Sequence, residues 1–174
     1  MTETGKDQPA VGAPDPTWPR YSAGPLPPYR YVPGRQPHPR RHPLGHAFGQ
    51  PEPPWEVFPP EAWRAAETYL RGIDLYNFGY WWESHEAFEA LWQAAGRGTL
   101  PGRFFQGLIH IAAANLKRAT GELEPADRLR QGGVARLRQV PSRYMGMAVE
   151  PFILAVEAYF AGARPIPALI RLED

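Results

Sequence analysis

The fold is decided by residues 77–92, which read NFGYWWESHEAFEALW. At about 100° per residue, the bulky apolar side chains, among them Trp81, Phe88 and Leu91, gather on one side of a helix. Asn77 and Gly79 tolerate the left-handed backbone that ends helices and makes tight turns. The segment therefore predicts a turn followed by an amphipathic helix that begins near Tyr80.

The flanking segments predict two further helices. Upstream, Trp63, Leu70 and Ile73 belong to a three- and four-residue apolar repeat that begins after Pro59-Pro60 and ends near Tyr76. The short connection to the next helix implies an antiparallel hairpin. Downstream, residues 103–119 are apolar around most of a helix, which is typical of the central helix of a bundle.

The C-terminal third predicts the remaining elements. A fourth helix is expected over about 125–139, weakened by Gly132-Gly133, and a fifth from near Pro151 to Gly162. The tail, residues 164–174, is expected to pack as an extended or single-turn segment, and no strand pair is expected. The prediction is an all-α fold: a compact, mostly antiparallel bundle of about five helices over residues 59–174.

The N-terminal third has a different composition. Sixteen of the 22 prolines lie between Pro9 and Pro60, where aliphatic residues are sparse. Such a segment buries too little apolar area to offset the entropy of ordering it. We predict that residues 1–58 form a proline-rich, polyproline-like disordered arm that is dispensable for folding.

Composition also excludes several classes of protein. The chain has no cysteine, which rules out disulfides, thiolate metal sites and a cysteine nucleophile. It shows no apolar secretory signal and no run of about 18 uncharged apolar residues. We therefore expect a cytoplasmic protein with no membrane partner.

Charge is unevenly distributed although the net charge is only +1. Acidic residues predominate over residues 61–90, and basic residues predominate over 117–143. We expect the two regions to pair or to be solvated. Binding of nucleic acid by the arginine-rich face remains open.

Polar residues border the apolar stripe of the second helix. His85 and Glu89 are one turn apart, Glu86 lies on the same flank, and Gln106 and His110 form a narrow polar stripe on the third helix. We expect these two sets to meet across a helix–helix contact. The predicted binding residues are Asn77, Trp81, Glu83, His85, Glu86, Glu89, Gln106 and His110.

Three interpretations fit this polar cluster. His85 and Glu89 have the spacing of metal ligands and can be completed by Gln106 or His110 to bind a divalent metal, although a zinc-protease or di-iron motif is incomplete. His85 and Glu86 can instead act as an acid/base pair in a pocket for a small ligand. A hydrogen-bonded buried network without chemistry is the third interpretation.

Trp82 lies opposite the apolar stripe. It is therefore expected to contact the arm or a second subunit in a homodimer. The phrase Leu75-x-x-x-Gly79-x-x-Trp82 is superficially like a tetratricopeptide helix, whose grooves bind peptides. It does not recur at a fixed period, which favours a single bundle over a repeat array.

Two blocks carry a family resemblance: Asn77-x-Gly79 followed by Glu83-x-His85-Glu86-x-x-Glu89-x-x-Trp92, and Phe105-Gln106-Gly107-Leu108-Ile109 leading into Ala112-Ala113. Over roughly residues 63–162 the chain resembles the family called domain of unknown function 309. The resemblance implies a compact helical bundle with no established activity. The pattern departs at Lys117-Arg118, where a histidine is common in the family, and at Gly121-Glu122.

These observations predict a binding protein rather than a defined enzyme. The expected role is binding of a small molecule or a protein, centred on the cluster around Glu83, His85 and Gln106. The alternative is a metal-assisted or acid/base hydrolytic enzyme of unknown substrate.

Overall fold

The computed structural model describes residues 17–173, and its fold is mostly helical, as predicted. A short 3-10 helix precedes five α-helices, and the α-helices form a compact bundle. The 3-10 helix spans Pro60–Ala65, α1 spans Glu67–Asn77, α2 spans Trp81–Ala95, α3 spans Leu100–Ala119, α4 spans Leu123–Leu137 and α5 spans Val149–Phe160.

Local chemistry sets the ends of the central helices. Gly79 has a φ of 80°, and the Tyr80 amide donates to the Leu75 carbonyl, so α1 turns directly into α2 as predicted. The Thr99 hydroxyl accepts a hydrogen bond from the Gly102 amide. This cap starts α3 at Leu100, three residues earlier than the apolar pattern predicted.

Helix α3 is the central helix, as expected, and packs against both α2 and α4. Its contact with α4 is close at two glycines. A Cβ atom at Gly107 would lie 2.7 Å from Cγ of Leu137, and one at Gly133 would lie 3.0 Å from the Gly107 carbonyl oxygen. The glycine pair in α4 therefore permits close helix packing, and α4 continues through it without a break.

The prediction of no strand pair was wrong. Strand β1, Arg143–Tyr144, pairs antiparallel with β2, Met147–Ala148, and Leu172 bridges to β2. Met145 and Gly146 both have positive φ, at 45° and 78°, as a tight hairpin turn requires. Strands of two residues are too short to show an alternation of apolar and polar residues in the sequence. Met145 also stands at the turn position where Asn is usual, so the sequence gives no turn signal.

The C-terminal tail packs in extended form, as predicted. Ala168 and Ile170 are buried in it. The Asn77 side chain donates to the Ile170 carbonyl and accepts from the Ile170 amide, both at 2.7 Å. Asn77 therefore fixes the tail to the end of α1.

The arm requires a correction for residues 17–58. These residues contain no helix or strand, as predicted, but they are docked on α1 and α2 rather than disordered. Asp74, which is fully buried, accepts hydrogen bonds from Arg20 Nε, the Tyr21 amide, the Ser22 amide and the Ser22 hydroxyl at 2.6–2.9 Å. Disorder was predicted because the arm contains little apolar area, but composition does not reveal that polar groups of the arm bind Asp74. Residues 1–16 of the predicted arm lie outside the described residues.

Candidate functional site

A groove of about 840 Å³ lies between the arm and the bundle, and we call it the arm groove. One wall consists of arm residues between Pro27 and Glu56. The other wall comes from α1, with Glu67, Arg71 and Leu75, and from α2, with Trp82, Glu83 and Glu86. The docking of the arm on the bundle is therefore what creates this groove.

Glu83 is the most buried acid in the lining, with 6% of its side chain exposed. Its Oε1 atom accepts a hydrogen bond from the Tyr31 amide at 3.0 Å and lies 2.8 Å from Nε2 of His46. Its Oε2 atom has no hydrogen-bond partner among the described residues. Burial raises the pKa of Glu83, and the contacts with His46 and Tyr31 oppose that rise.

His46 is held in place by the arm itself. Its ring lies edge-on to Tyr29 with 4.7 Å between centroids, and the Tyr29 hydroxyl accepts from the His46 amide at 3.2 Å. That hydroxyl donates in turn to the Pro37 carbonyl at 2.7 Å. The imidazole is therefore fixed with Nε2 directed at Glu83.

Sequence reasoning missed His46 because the arm was expected to be disordered. One signal was present: disordered segments are poor in aromatic residues, yet this arm carries Tyr21, Tyr29 and Tyr31 together with Trp18. Trp82 is part of the same packing, since its ring lies 5.2 Å from the rings of Tyr31 and His38. The expectation that Trp82 contacts the arm is therefore confirmed.

The cluster of His85, Glu86 and Glu89 lies beside the arm groove on α2. Nδ1 of His85 is 3.4 Å from Oε1 of Glu86, and Nε2 is 3.7 Å from Oε2 of Glu89. One ligand atom from each residue fits within 4.8 Å of the others. The structure thus brings together the predicted metal ligands His85 and Glu89 and adds Glu86. The His85 side chain remains 31% exposed to solvent.

Glu86 connects the cluster to the groove. It lines the arm groove and also a neighbouring pocket of about 200 Å³ that includes Glu89. The neighbouring His85 lowers the pKa of Glu86 most, partial burial opposes this, and Arg40 and His38 add smaller lowering effects. Nε of Arg40 lies 3.8 Å from Oε2 of Glu86. Glu86 is therefore held in its charged form between two basic groups.

The stripe on α3 only partly meets this cluster. Burial lowers the pKa of His110 most, and Arg136 and His85 add to the effect. Gln106 is half-buried, and no hydrogen bond within residues 17–173 joins it to His85, Glu86 or Glu89.

The remaining predicted binding residues lie elsewhere. Trp81 is buried in the hydrophobic core, and Asn77 is engaged by the C-terminal tail. The arginine-rich region pairs largely within the protein. Its ion pairs include Lys117 with Glu122, Arg128 with Glu124, Arg130 with Asp127 and Glu157, and Arg143 with Glu173.

None of the helices within residues 17–173 is long and apolar enough to cross a membrane.

None of the curated proteins significantly matches the chain. A family model matches residues 69–129, which run from α1 into α4 and include Glu83 and the cluster of His85, Glu86 and Glu89. The arm, with His46 and Arg40, lies outside that match. The predicted resemblance is thereby confirmed over a narrower range than expected, and residues 69–129 match the family described as Domain of unknown function (DUF309).

Proposed function

We propose that the protein binds a small organic molecule in the arm groove. One observation carries this proposal: Glu83 lines the groove, and its Oε2 atom is buried without a hydrogen-bond partner within the described residues. Buried carboxylate oxygens are nearly always paired, because leaving one unpaired forfeits its hydration. A ligand with a hydrogen-bond donor would supply the missing partner.

The dimensions and walls of the groove suit such a ligand. Its volume of about 840 Å³ lies within the range of small-molecule sites. Trp55, Trp82 and several prolines provide flat apolar surfaces around a few polar groups. The arm wall is also preformed, since Asp74 and the Glu83–His46 contact fix it to the bundle.

A network that only holds the arm in place explains the contacts of Oε1 of Glu83 but not the burial of Oε2. The contacts to His46 and Tyr31 both involve Oε1 of Glu83. They orient the carboxylate and leave Oε2 without a hydrogen-bond partner among the described residues. A side chain that served only to fix the arm would gain nothing from burying that second oxygen unpaired.

The test is a titration of ¹⁵N-labelled protein with two neutral donor fragments, 2-phenylethanol and benzamide. We expect the indole N–H signals of Trp55 and Trp82 to shift, because both side chains line the groove. The indole of Trp92, which faces Arg97 instead, serves as the internal control. Shifts confined to residues outside the groove, or none at all, would contradict the proposal.

The matched variants are Glu83→Gln and Glu124→Gln. Glu124 is an exposed acid on α4 that pairs with Arg128, so its replacement should leave fragment binding unchanged. Glu83→Gln replaces one carboxylate oxygen by a donor and should weaken binding of both fragments. Equal weakening by the two variants would point to a general effect of charge rather than to the groove.

The cluster of His85, Glu86 and Glu89 favours a second candidate function, metal-assisted hydrolysis. One nitrogen and two carboxylate oxygens within 4.8 Å suit a divalent cation and would leave coordination positions open for water. The test compares melting curves with and without Zn²⁺ or Mn²⁺ for the unmodified protein, His85→Gln and the control His42→Gln. A metal-dependent rise in all three proteins would assign the metal to another site.

A further inference from the structure

We infer that the ligand of the arm groove is an organic cation whose ammonium group donates a hydrogen bond to Oε2 of Glu83. This inference rests on the proposed function and specifies its ligand class. It follows from three features of the groove: its charge, its unpaired carboxylate oxygen and its tryptophan walls.

The lining is acidic although the protein as a whole is nearly neutral. Five carboxylates line the groove against two guanidinium groups and one imidazole. The acids are Glu52, Glu56, Glu67, Glu83 and Glu86, and the bases are Arg40, Arg71 and His46. A concave site with an excess of one sign concentrates ligands of the opposite sign.

Only one of the two arginines in the lining is paired with acids of the groove. Arg40 lies 3.5 Å from Oε1 of Glu52 and 3.8 Å from Oε2 of Glu86. Nη1 of Arg71 is buried without a hydrogen-bond partner among the described residues, and it lies beneath Gly24, an arm residue that does not line the groove. An anionic ligand at Arg40 would have to displace Glu52 and Glu86, whereas a cation is favoured by the excess of acids in the lining.

Glu83 has the geometry of a cation acceptor. Its carboxylate is fixed through Oε1 by Tyr31 and His46, which leaves Oε2 as the oxygen without a hydrogen-bond partner among the described residues. A charge-assisted N–H···O bond is shorter and roughly twice as strong as a neutral one. A cation also favours the ionised carboxylate, which burial alone disfavours.

The tryptophans complete the recognition. The Trp82 ring is held by edge contacts with Tyr31 and His38, and both Trp82 and Trp55 line the groove. Trp55 is 69% exposed, which leaves its ring available to an incoming ligand. Indole faces attract cations and also pack against apolar ligand bodies. The structure therefore favours an amine with an apolar substituent over a small inorganic cation.

The test uses three probes of similar shape that differ in charge: 2-phenylethylamine, 2-phenylethanol and 3-phenylpropanoate. Each is titrated into the full-length protein, and Kd is obtained from the indole shifts of Trp55 and Trp82. We expect the amine to bind about tenfold more tightly than the alcohol, and the carboxylate to bind most weakly. Glu83→Gln should reduce the amine to the level of the alcohol, whereas Glu124→Gln should retain the preference.

The outcomes separate this inference from the proposed function. Equal binding of amine and alcohol would overturn the cation class while leaving small-molecule binding intact. Tightest binding of the carboxylate would overturn the sign of the ligand charge. Absence of binding by all three probes at about 10 mM would overturn the groove as a binding site. The ranking in the unmodified protein decides the matter even where Glu83→Gln does not fold.

Discussion

Asp74→Asn is expected to destabilise the protein by releasing the arm. The carboxylate of Asp74 is fully buried and accepts four hydrogen bonds from Arg20, Tyr21 and Ser22. Asparagine presents one oxygen and one NH₂ group to these donors, so at least one donor faces another donor. Asp74→Ala removes every acceptor at once and serves as the stronger variant.

The magnitude follows from the nature of these contacts. A hydrogen bond to a charged group contributes about 1.5–3 kcal/mol, and removing one partner of a buried charged pair costs about 3–5 kcal/mol. The Arg20 contribution is discounted because a third of its side chain is exposed to solvent. We therefore expect Asp74→Asn to cost about 2–4 kcal/mol. The loss of unfolding free energy cannot exceed the free energy of docking the arm. Once the arm detaches, water hydrates the donors of Arg20, Tyr21 and Ser22.

The assay is urea unfolding of four proteins: the full chain and residues 59–174, each with and without Asp74→Asn. In the full chain Asp74→Asn should lower the free energy of unfolding by about 2–4 kcal/mol. In the truncated protein Asp74 faces water, so the substitution should cost less than about 0.5 kcal/mol. Glu124→Gln, which breaks an exposed pair, should cost under about 1 kcal/mol in the full chain.

An equal cost of Asp74→Asn in the full chain and in the truncated protein would refute this reasoning, because Asp74 would then act within the bundle. The comparison also tests the expectation from composition that residues 1–58 are dispensable for folding. Deletion of the arm should lower stability by the free energy of its docking, and an unchanged melting temperature would favour the original expectation.

Two other predictions concern helix packing and pH. Gly133→Ala should destabilise by about 1–3 kcal/mol, since the new Cβ would lie 2.7 Å from Cδ1 of Ile111 and 3.0 Å from the Gly107 carbonyl. Gly132→Ala should cost less, because the atoms nearest its new Cβ, Nδ1 of His110 at 2.9 Å and Nη1 of Arg136 at 3.3 Å, belong to side chains that can move; a larger loss for Gly132→Ala than for Gly133→Ala in thermal melts would contradict the backbone contact at Gly133. Burial raises the pKa of Glu83 above its ordinary value of 4.5, so its stabilising contribution is present below that value and is lost as pH rises through the folded pKa. The melting temperature of the unmodified protein relative to Glu83→Gln should therefore fall as the pH rises above about 4.5, and a difference that does not depend on pH would contradict the raised pKa.

The α-helices could be predicted because their signals are local. The apolar repeat of α1, the Gly79 turn and the apolar circumference of α3 each depend on residues within a few turns. The hairpin could not be predicted in this way. It depends on Met145 adopting positive φ and on Leu172 reaching back to Met147 from 25 residues along the chain.

The candidate site was predictable only on the α2 side. The spacing of Glu83, His85, Glu86 and Glu89 placed these side chains on one helix before the structure was known. Their partners His46 and Arg40 lie 37 and 46 residues away in an irregular segment, and no periodicity connects them. Such contacts are set by tertiary packing, which a local pattern does not record.

The division of the arm groove between two parts of the chain has a chemical consequence. The matched segment at residues 69–129 supplies the Glu83 carboxylate, but the groups that orient it, His46 and the Tyr31 amide, come from the arm outside that segment. Without the arm, Glu83 would be an ordinary hydrated carboxylate on a helix surface. With the arm docked, one oxygen is fixed and the other is buried without a partner. The binding property proposed for this protein therefore depends on the arm as much as on the helices, because the stability of the docked arm determines how well the groove is preformed.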